Sequence, residues 1–204
     1  MRKYKKHWLL VLAILVAALL ASCAGLPAKT SDPYAVLDDL IYKNPADIDN
    51  TNLPITPVDK LGITGPSAAP EVDISEYRLT VDGLVTNPLS LTYEELLAYP
   101  SVSEVVLLIC PWVFADNAGW TGVPVATILA AAGINPEASE VHLYALDGYS
   151  VSLPLETAQK EGVFLAYSVN GQTLPAIHGY PLRLVVKGQY GYNWIKWVER
   201  IEVR

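Results

Sequence analysis

Cysteine is nearly absent from this sequence: Cys23 and Cys110 are the only two in 204 residues. Histidine is almost as rare, with three residues, one of them His7 at the extreme N-terminus. Two remaining histidines far apart in the chain do not make a His-based zinc site. Whole motifs are missing as well: there is no GxGxxG, no P-loop, no HExxH and no CxxCH for covalent haem. Dinucleotide, nucleoside-triphosphate, zincin and c-type haem chemistry lose their usual footholds. Asp116, His142 and Ser150 have no spacing that makes a catalytic triad. Bases are also short, 14 against 21 acids, and Arg2, Lys3, Lys5 and Lys6 take four of the 14. Without those four, ten bases face twenty-one acids, a net charge of −11. Such a surface repels nucleic acid and anionic lipid headgroups, so no nucleic-acid partner is expected. The apolar run from Leu9 to Leu20 falls short of the ~20 residues of a membrane span. No internal repeat or low-complexity tract interrupts the chain.

What the N-terminus does have is the layout of an export leader. A positive n-region precedes the apolar run, and Leu20-Ala21-Ser22-Cys23 supplies small residues at the processing point. This stretch resembles the lipobox of bacterial lipoproteins, in which the cysteine is lipidated and becomes the mature N-terminus. The resemblance implies that residues 1–23 are a lipoprotein signal peptide, with Cys23 the lipidation site. It implies an extracytoplasmic protein, lipid-anchored to the cell membrane of a bacterium. Residues 24–70 hold seven of the fifteen prolines and read as a proline-rich tether. Within it, Tyr34 to Tyr42 can form two helical turns.

From residue 71 the texture is that of one folded domain, 71–204. Residues 77–85 alternate like a half-buried strand, and Thr92 with Glu95 forms a capping box for a short helix. Residues 104–109 are a continuous run short enough for a buried strand, followed by a loop with two tryptophans. Pro124 opens a helix that stops at Gly133. Strands follow at 140–146 and 149–153, around the Asp147-Gly148 turn, then a short helix over 154–160. A strand over 163–169 leads to Asn170-Gly171, the strongest hairpin signal in the chain. Strands at 181–186 and 194–203 close an α+β domain of mixed β-sheets with a few short helices.

Cys110 stands at the end of the apolar run with no partner thiol in an oxidising compartment. Two readings are open from the residues alone, an inert core cysteine or a ligand. Four segments bear on the choice: 77–96; LICP at 108–111 with WTGVP at 120–124; DGY at 147–149; and HGYPLR at 178–183 through YGYNWIKW at 190–197. In order and spacing they resemble the molybdopterin-binding domain of the sulfite oxidase family, which includes sulfite oxidase, plant nitrate reductase and the periplasmic protein-methionine-sulfoxide reductase. The resemblance implies a Mo-molybdopterin cofactor with the Cys110 thiolate as molybdenum ligand, a soft donor suited to that centre. It also implies that Arg183 and Lys196 bind the pterin phosphate, helped by backbone N–H groups of Trp194, Ile195 and Lys196. His178 would lie against the cofactor, while Trp120, Trp194 and Trp197 serve packing. No residue before 71 matches the pterin contacts that relatives carry in an N-terminal segment.

The activity so implied is two-electron oxo transfer on a small molecule or an oxidised side chain. With no haem or flavin motif in the chain, electrons have to pass through a separate partner, and the lipid anchor would hold the domain near membrane redox proteins. The loop after Cys110 offers Trp112, Val113, Phe114, Asp116 and Trp120, an apolar wall with a carboxylate and no base. Such a mouth suits a neutral substrate such as a sulfoxide better than sulfite. The alternative is a non-catalytic lipoprotein that uses the same fold as a ligand- or protein-binding module.

Overall fold

The computed structural model describes residues 32–204; the expected lipoprotein signal peptide over 1–23, and with it Cys23, lies outside the described residues. Strands β1 (Leu79–Gly83), β2 (Leu89–Leu91), β5 (Glu140–Ala145), β6 (Ser150–Pro154) and β10 (Val198–Val203) make one sheet, in the order β2-β1-β10-β5-β6. Its pairs are antiparallel except β1 with β10, which run parallel. Strands β3 (Val102–Cys110), β4 (Phe114–Pro124), β7 (Val163–Val169) and β8 (Gln172–Thr173) follow one another in the second sheet. Strand β9 (Arg183–Val186) also pairs with β7. Leu79, Val81, Leu143 and Ile201 of the first sheet share one core with Val106, Leu108, Trp120 and Leu165 of the second.

The local signals form as their chemistry dictates. Thr92 Oγ1 accepts from the Glu95 amide at 3.1 Å and Glu95 Oε2 from the Thr92 amide at 2.8 Å, capping a helix over Tyr93–Leu97. The helix Val125–Ala132 buries Val125, Ile128, Leu129 and Ala132, one helical stripe, against β1, β4 and β7. Asn170 and Gly171 both take positive φ, as the tight β7–β8 hairpin requires.

Two expectations need correction. The stretch after Cys110, read as a loop, is the eleven-residue strand β4 between β3 and β7. Its period-2 signal is broken because Asp116 and Asn117 are buried polar residues, at 4% and 0% exposure, where a strand pattern calls for apolar ones. The closing strand begins at Val198 rather than 194, because residues 191–193 form a 3₁₀ turn and Trp197 adopts φ +56°.

The proline-rich stretch is described from residue 32, and it covers the outer face of β3 and β4. A helical turn over Ala35–Asp38 continues as a 3₁₀ turn over Asp39–Tyr42. Leu37 packs there with Leu107, Ile109 and Ala115. Asn117 Nδ2 donates to the carbonyls of Asn50 (3.3 Å) and Leu53 (3.1 Å), and the Thr56 amide donates to Asn117 O at 2.7 Å. With cover on both faces, β3 buries four successive residues from Val106 to Ile109, which is why its sequence reads as a continuous run.

A Cβ at Gly122 would collide with the backbone of Leu165 and Ala166 on β7, whereas one at Gly119 would meet only Asn170 Oδ1, at 3.6 Å. Gly122→Ala is therefore expected to cost about 1–3 kcal/mol, the usual overpacking penalty, and Gly119→Ala much less. Urea unfolding of the two variants checks this; equal midpoints would contradict the packing argument.

Candidate functional site

The end of β3, the β5–β6 turn, the start of β9 and the segment before β10 converge on one cavity of about 280 Å³. Its lining includes Cys110, Asp147, Tyr149, Arg183, Tyr192, Trp194, Ile195 and Lys196. A larger cavity, about 620 Å³, opens beside Pro57, Val58 and Gln172, but no thiol, lysine or arginine lines it. The smaller one is the chemically equipped site.

Arg183 dominates its electrostatics. The side chain is buried, its Nη1 donates to the His178 carbonyl at 3.1 Å, and its guanidinium lies 5.5 Å from the Trp120 ring centre. Trp120 is fixed in turn by its indole N–H to Val106 O at 3.3 Å and by edge contact with Trp194. Arg183 Nε is buried with no hydrogen-bond partner among protein groups. Burial pulls the guanidinium down to about 10, against the opposing pull of Asp116 and Cys110. A desolvated cation with an unused donor is the receptor half of a charge-assisted pair, and an anion is what completes it.

Lys196 stands beside it. Its ammonium donates to Thr64 O at 2.9 Å and Ile177 O at 3.2 Å, and sits 4.2 Å from the Trp197 ring centre. Burial, then the Arg183 charge, lower it to about 8. His178 is 5% exposed and pushed down to about 4, by burial first and then by Arg183 and Lys196, so it is neutral at pH 7. It does not line the 280 Å³ cavity: it lines the larger one beside Pro57 and, with Arg183 and Lys196, a narrow gap of about 10 Å³.

Five of the six residues assigned to the cofactor therefore share the main cavity, and His178 borders the gap next to it. One detail differs from expectation: the Trp194 amide already donates to Gly191 O at 3.0 Å, so the backbone donors left in that stretch are Ile195 and Lys196. The proposed outer wall differs too. Asp116 and Trp120 are buried on β4, and the carboxylate that lines the cavity is Asp147.

Sequence reading also missed the wall formed by Thr64, Gly65 and Pro66. This strap is tied to the floor of the site. The Gly62 amide donates to Asp116 Oδ2 at 2.8 Å, and Lys196 holds Thr64. A Cβ at Gly62 would overlap the Phe114 ring, so glycine there permits the close approach. Gly62 and Gly65, amid residues that otherwise look like tether, were the available signal.

Comparison with known proteins adds an independent line. Residues 66–204 match the family model described as oxidoreductase molybdopterin binding domain. The chain is 35% identical over 133 residues to the putative protein-methionine-sulfoxide reductase subunit YedZ1 of Azospira oryzae, covering 65% of this chain and 51% of that protein. It is 31% identical to the mitochondrial sulfite oxidase of Macaca fascicularis, covering 86% of this chain and 40% of that one. The crystal structure of the sulfane dehydrogenase SoxCD from Paracoccus pantotrophus superposes with a TM-score of 0.69 at 30% identity, over 79% of this chain and 46% of that one. The chain thus spans about half the length of such relatives.

The buried neutral His178 makes the domain sensitive to acid. Unfolded, the imidazole titrates near 6.5, and in the fold near 4, so the unfolded chain binds more protons between those values. Stability contributed above pH 6.5 is lost as pH falls towards 4, on the order of 3 kcal/mol. Urea titrations at pH 7 and pH 4.5 should show a smaller drop for His178→Gln than for wild type. Identical drops would mean that carboxylates alone carry the acid sensitivity.

Proposed function

Since the chain belongs to the oxidoreductase molybdopterin-binding domain family, we propose that the cavity at Cys110 holds a mononuclear molybdopterin and that the protein is a two-electron oxo-transfer enzyme. The observation that carries this reading is the buried, half-satisfied guanidinium of Arg183 in the same cavity as the one thiol of the domain. When bound, the molybdenum centre supplies two-electron exchange of an oxygen atom. The chain supplies everything around it. Cys110 offers a thiolate from a strand end, where the β3–β4 ladder fixes its direction. Arg183 and Lys196 bind the anionic pterin tail, with the Ile195 and Lys196 amides beside them. Trp194 and Ile195, both buried, exclude water from the inner wall. His178 stays neutral behind the two cations and adds no third charge to their repulsion.

The substrate we propose is neutral, a sulfoxide in a small molecule or in an oxidised side chain. Its reduction breaks the sulfur–oxygen bond, takes two electrons and two protons, and releases a thioether and water. The exposed side of the cavity supports this choice, because Tyr149 and Tyr192 stand there and no base does. The electrons come from a separate redox protein, which we place at the membrane. Lipidation at Cys23 would hold the domain beside it, outside the cytoplasm.

Three variants test the reading. Cys110→Ser should lose molybdenum, measured by elemental analysis of protein purified from its native host, while the fold is retained. Arg183→Ala should weaken cofactor retention by one to two orders of magnitude, since a charge-assisted hydrogen bond contributes roughly 1.5–3 kcal/mol. Pterin fluorescence after oxidative release reports it. Wild-type protein free of molybdenum would favour a binding module instead. Cys23→Ala should leave the membrane fraction or keep its leader, and a wild type without lipid by mass spectrometry would refute the anchor.

A further inference from the structure

We infer that Asp147 selects substrates by charge, turning small anions away at the mouth of the cavity. The inference rests on the proposed oxo transfer to a neutral substrate and names the residue that enforces it. Three charged side chains line the cavity: Arg183, Lys196 and Asp147. They are not equivalent in depth. Arg183 is buried, and the half-buried Lys196 has its ammonium engaged by two carbonyls. The exposed part of the lining is Thr64, Gly65, Pro66, Asp147, Tyr149 and Tyr192. Asp147 is the one charge among these six.

The carboxylate is also held in place. Its Oδ1 accepts from the Tyr149 amide at 3.1 Å, an Asx turn, and Gly148 at φ +84° allows the tight β5–β6 connection. Tyr149 OH donates to Tyr192 O at 2.9 Å, which pins this turn to the segment before β10 across the mouth. A fixed charge at the entrance of a low-dielectric cleft acts on an entering ion more strongly than a mobile surface charge, because the walls focus its field. Sulfite meets the Asp147 carboxylate first, and the nearest cation, the half-buried Lys196, already faces that carboxylate and is held by the Thr64 and Ile177 carbonyls. A neutral sulfoxide meets Tyr149 and Tyr192 and keeps its access.

Asp147→Asn isolates the charge, because an asparagine Oδ1 still accepts from Tyr149 and the turn persists; Asp147→Lys reverses it. In holoprotein with dye redox partners, the sulfite-to-dimethyl-sulfoxide ratio of kcat/KM should rise about tenfold in Asp147→Asn and further in Asp147→Lys. The change should appear in the sulfite KM and shrink at high salt. A second readout needs no turnover. Trp112, directly after the cavity-lining Pro111, is 77% exposed, while Trp120, Trp194 and Trp197 are at most 2% exposed. Iodide quenching of its fluorescence, relative to quenching by neutral acrylamide, should rise in both variants, with or without cofactor. An unchanged ratio in both variants, or iodide quenching equal to wild type, overturns the role of Asp147. A wild type that already prefers sulfite would instead sink the neutral-substrate reading, so the two failures are distinguishable.

Discussion

The site is organised by a positive charge that the fold buries. Arg183 keeps its guanidinium in the interior, stacked near Trp120 and bonded through Nη1 to a main-chain carbonyl, with Nε left over. Holding such a group is costly unless something nearby answers it. Its neighbours are arranged accordingly. Asp116 supplies a nearby negative charge, His178 is driven neutral, and the ammonium of Lys196 is cradled by carbonyl oxygens. Each shift has burial as its first cause and the Arg183 charge as a further one for both His178 and Lys196. Trp120, over which the guanidinium lies, packs edge-on against the buried Trp194.

Asp116 connects that charge to the part of the chain that sequence reading treated as a tether. One of its oxygens accepts from Gly62, and its neighbour Asn117 binds residues 50, 53 and 56. Two adjacent polar residues on β4 therefore fasten the proline-rich stretch over one face of the sheet and bring Thr64 to Pro66 to the cavity. Replacing either by an apolar residue of similar size would leave main-chain amides and carbonyls of the strap without partners, a cost borne by the site as well as by the fold.

Much of the domain was legible. The capping box at Thr92, the Asn170-Gly171 turn and the helix between Pro124 and Gly133 are local signals, and local chemistry fixes them. Strand β4 was not, because it buries Asp116 and Asn117 for partners 54 to 67 residues away, and no window on the sequence contains both ends of those bonds. The same limit explains the site. Cys110, Arg183 and Lys196 lie in recognisable strings, so their convergence was foreseeable from the resemblance. Asp147 stands in the sequence as half of a turn and as part of the DGY segment of the resemblance, with no role attached, and Gly62 only as part of an irregular stretch. Their importance depends on what the fold places opposite them.

The parallel pairing of β1 with β10 has a consequence for the order in which this domain is assembled. In the first sheet, β10 lies between β1 and β5, so the β1–β2 and β5–β6 hairpins have no shared ladder until residues 198–203 arrive. Closing that gap joins residues about 120 positions apart, Thr80 opposite Arg200 and Val81 opposite Ile201. Non-local pairing of this kind is slow to form, since chain entropy is lost before the contacts are gained. Arg183 and Lys196 lie on the approach to the same strand. A chain synthesised from its N-terminus therefore presents Cys110 and the strap well before it presents the two cations, leaving an interval in which the thiol is in place and the groups that would hold an anion are not.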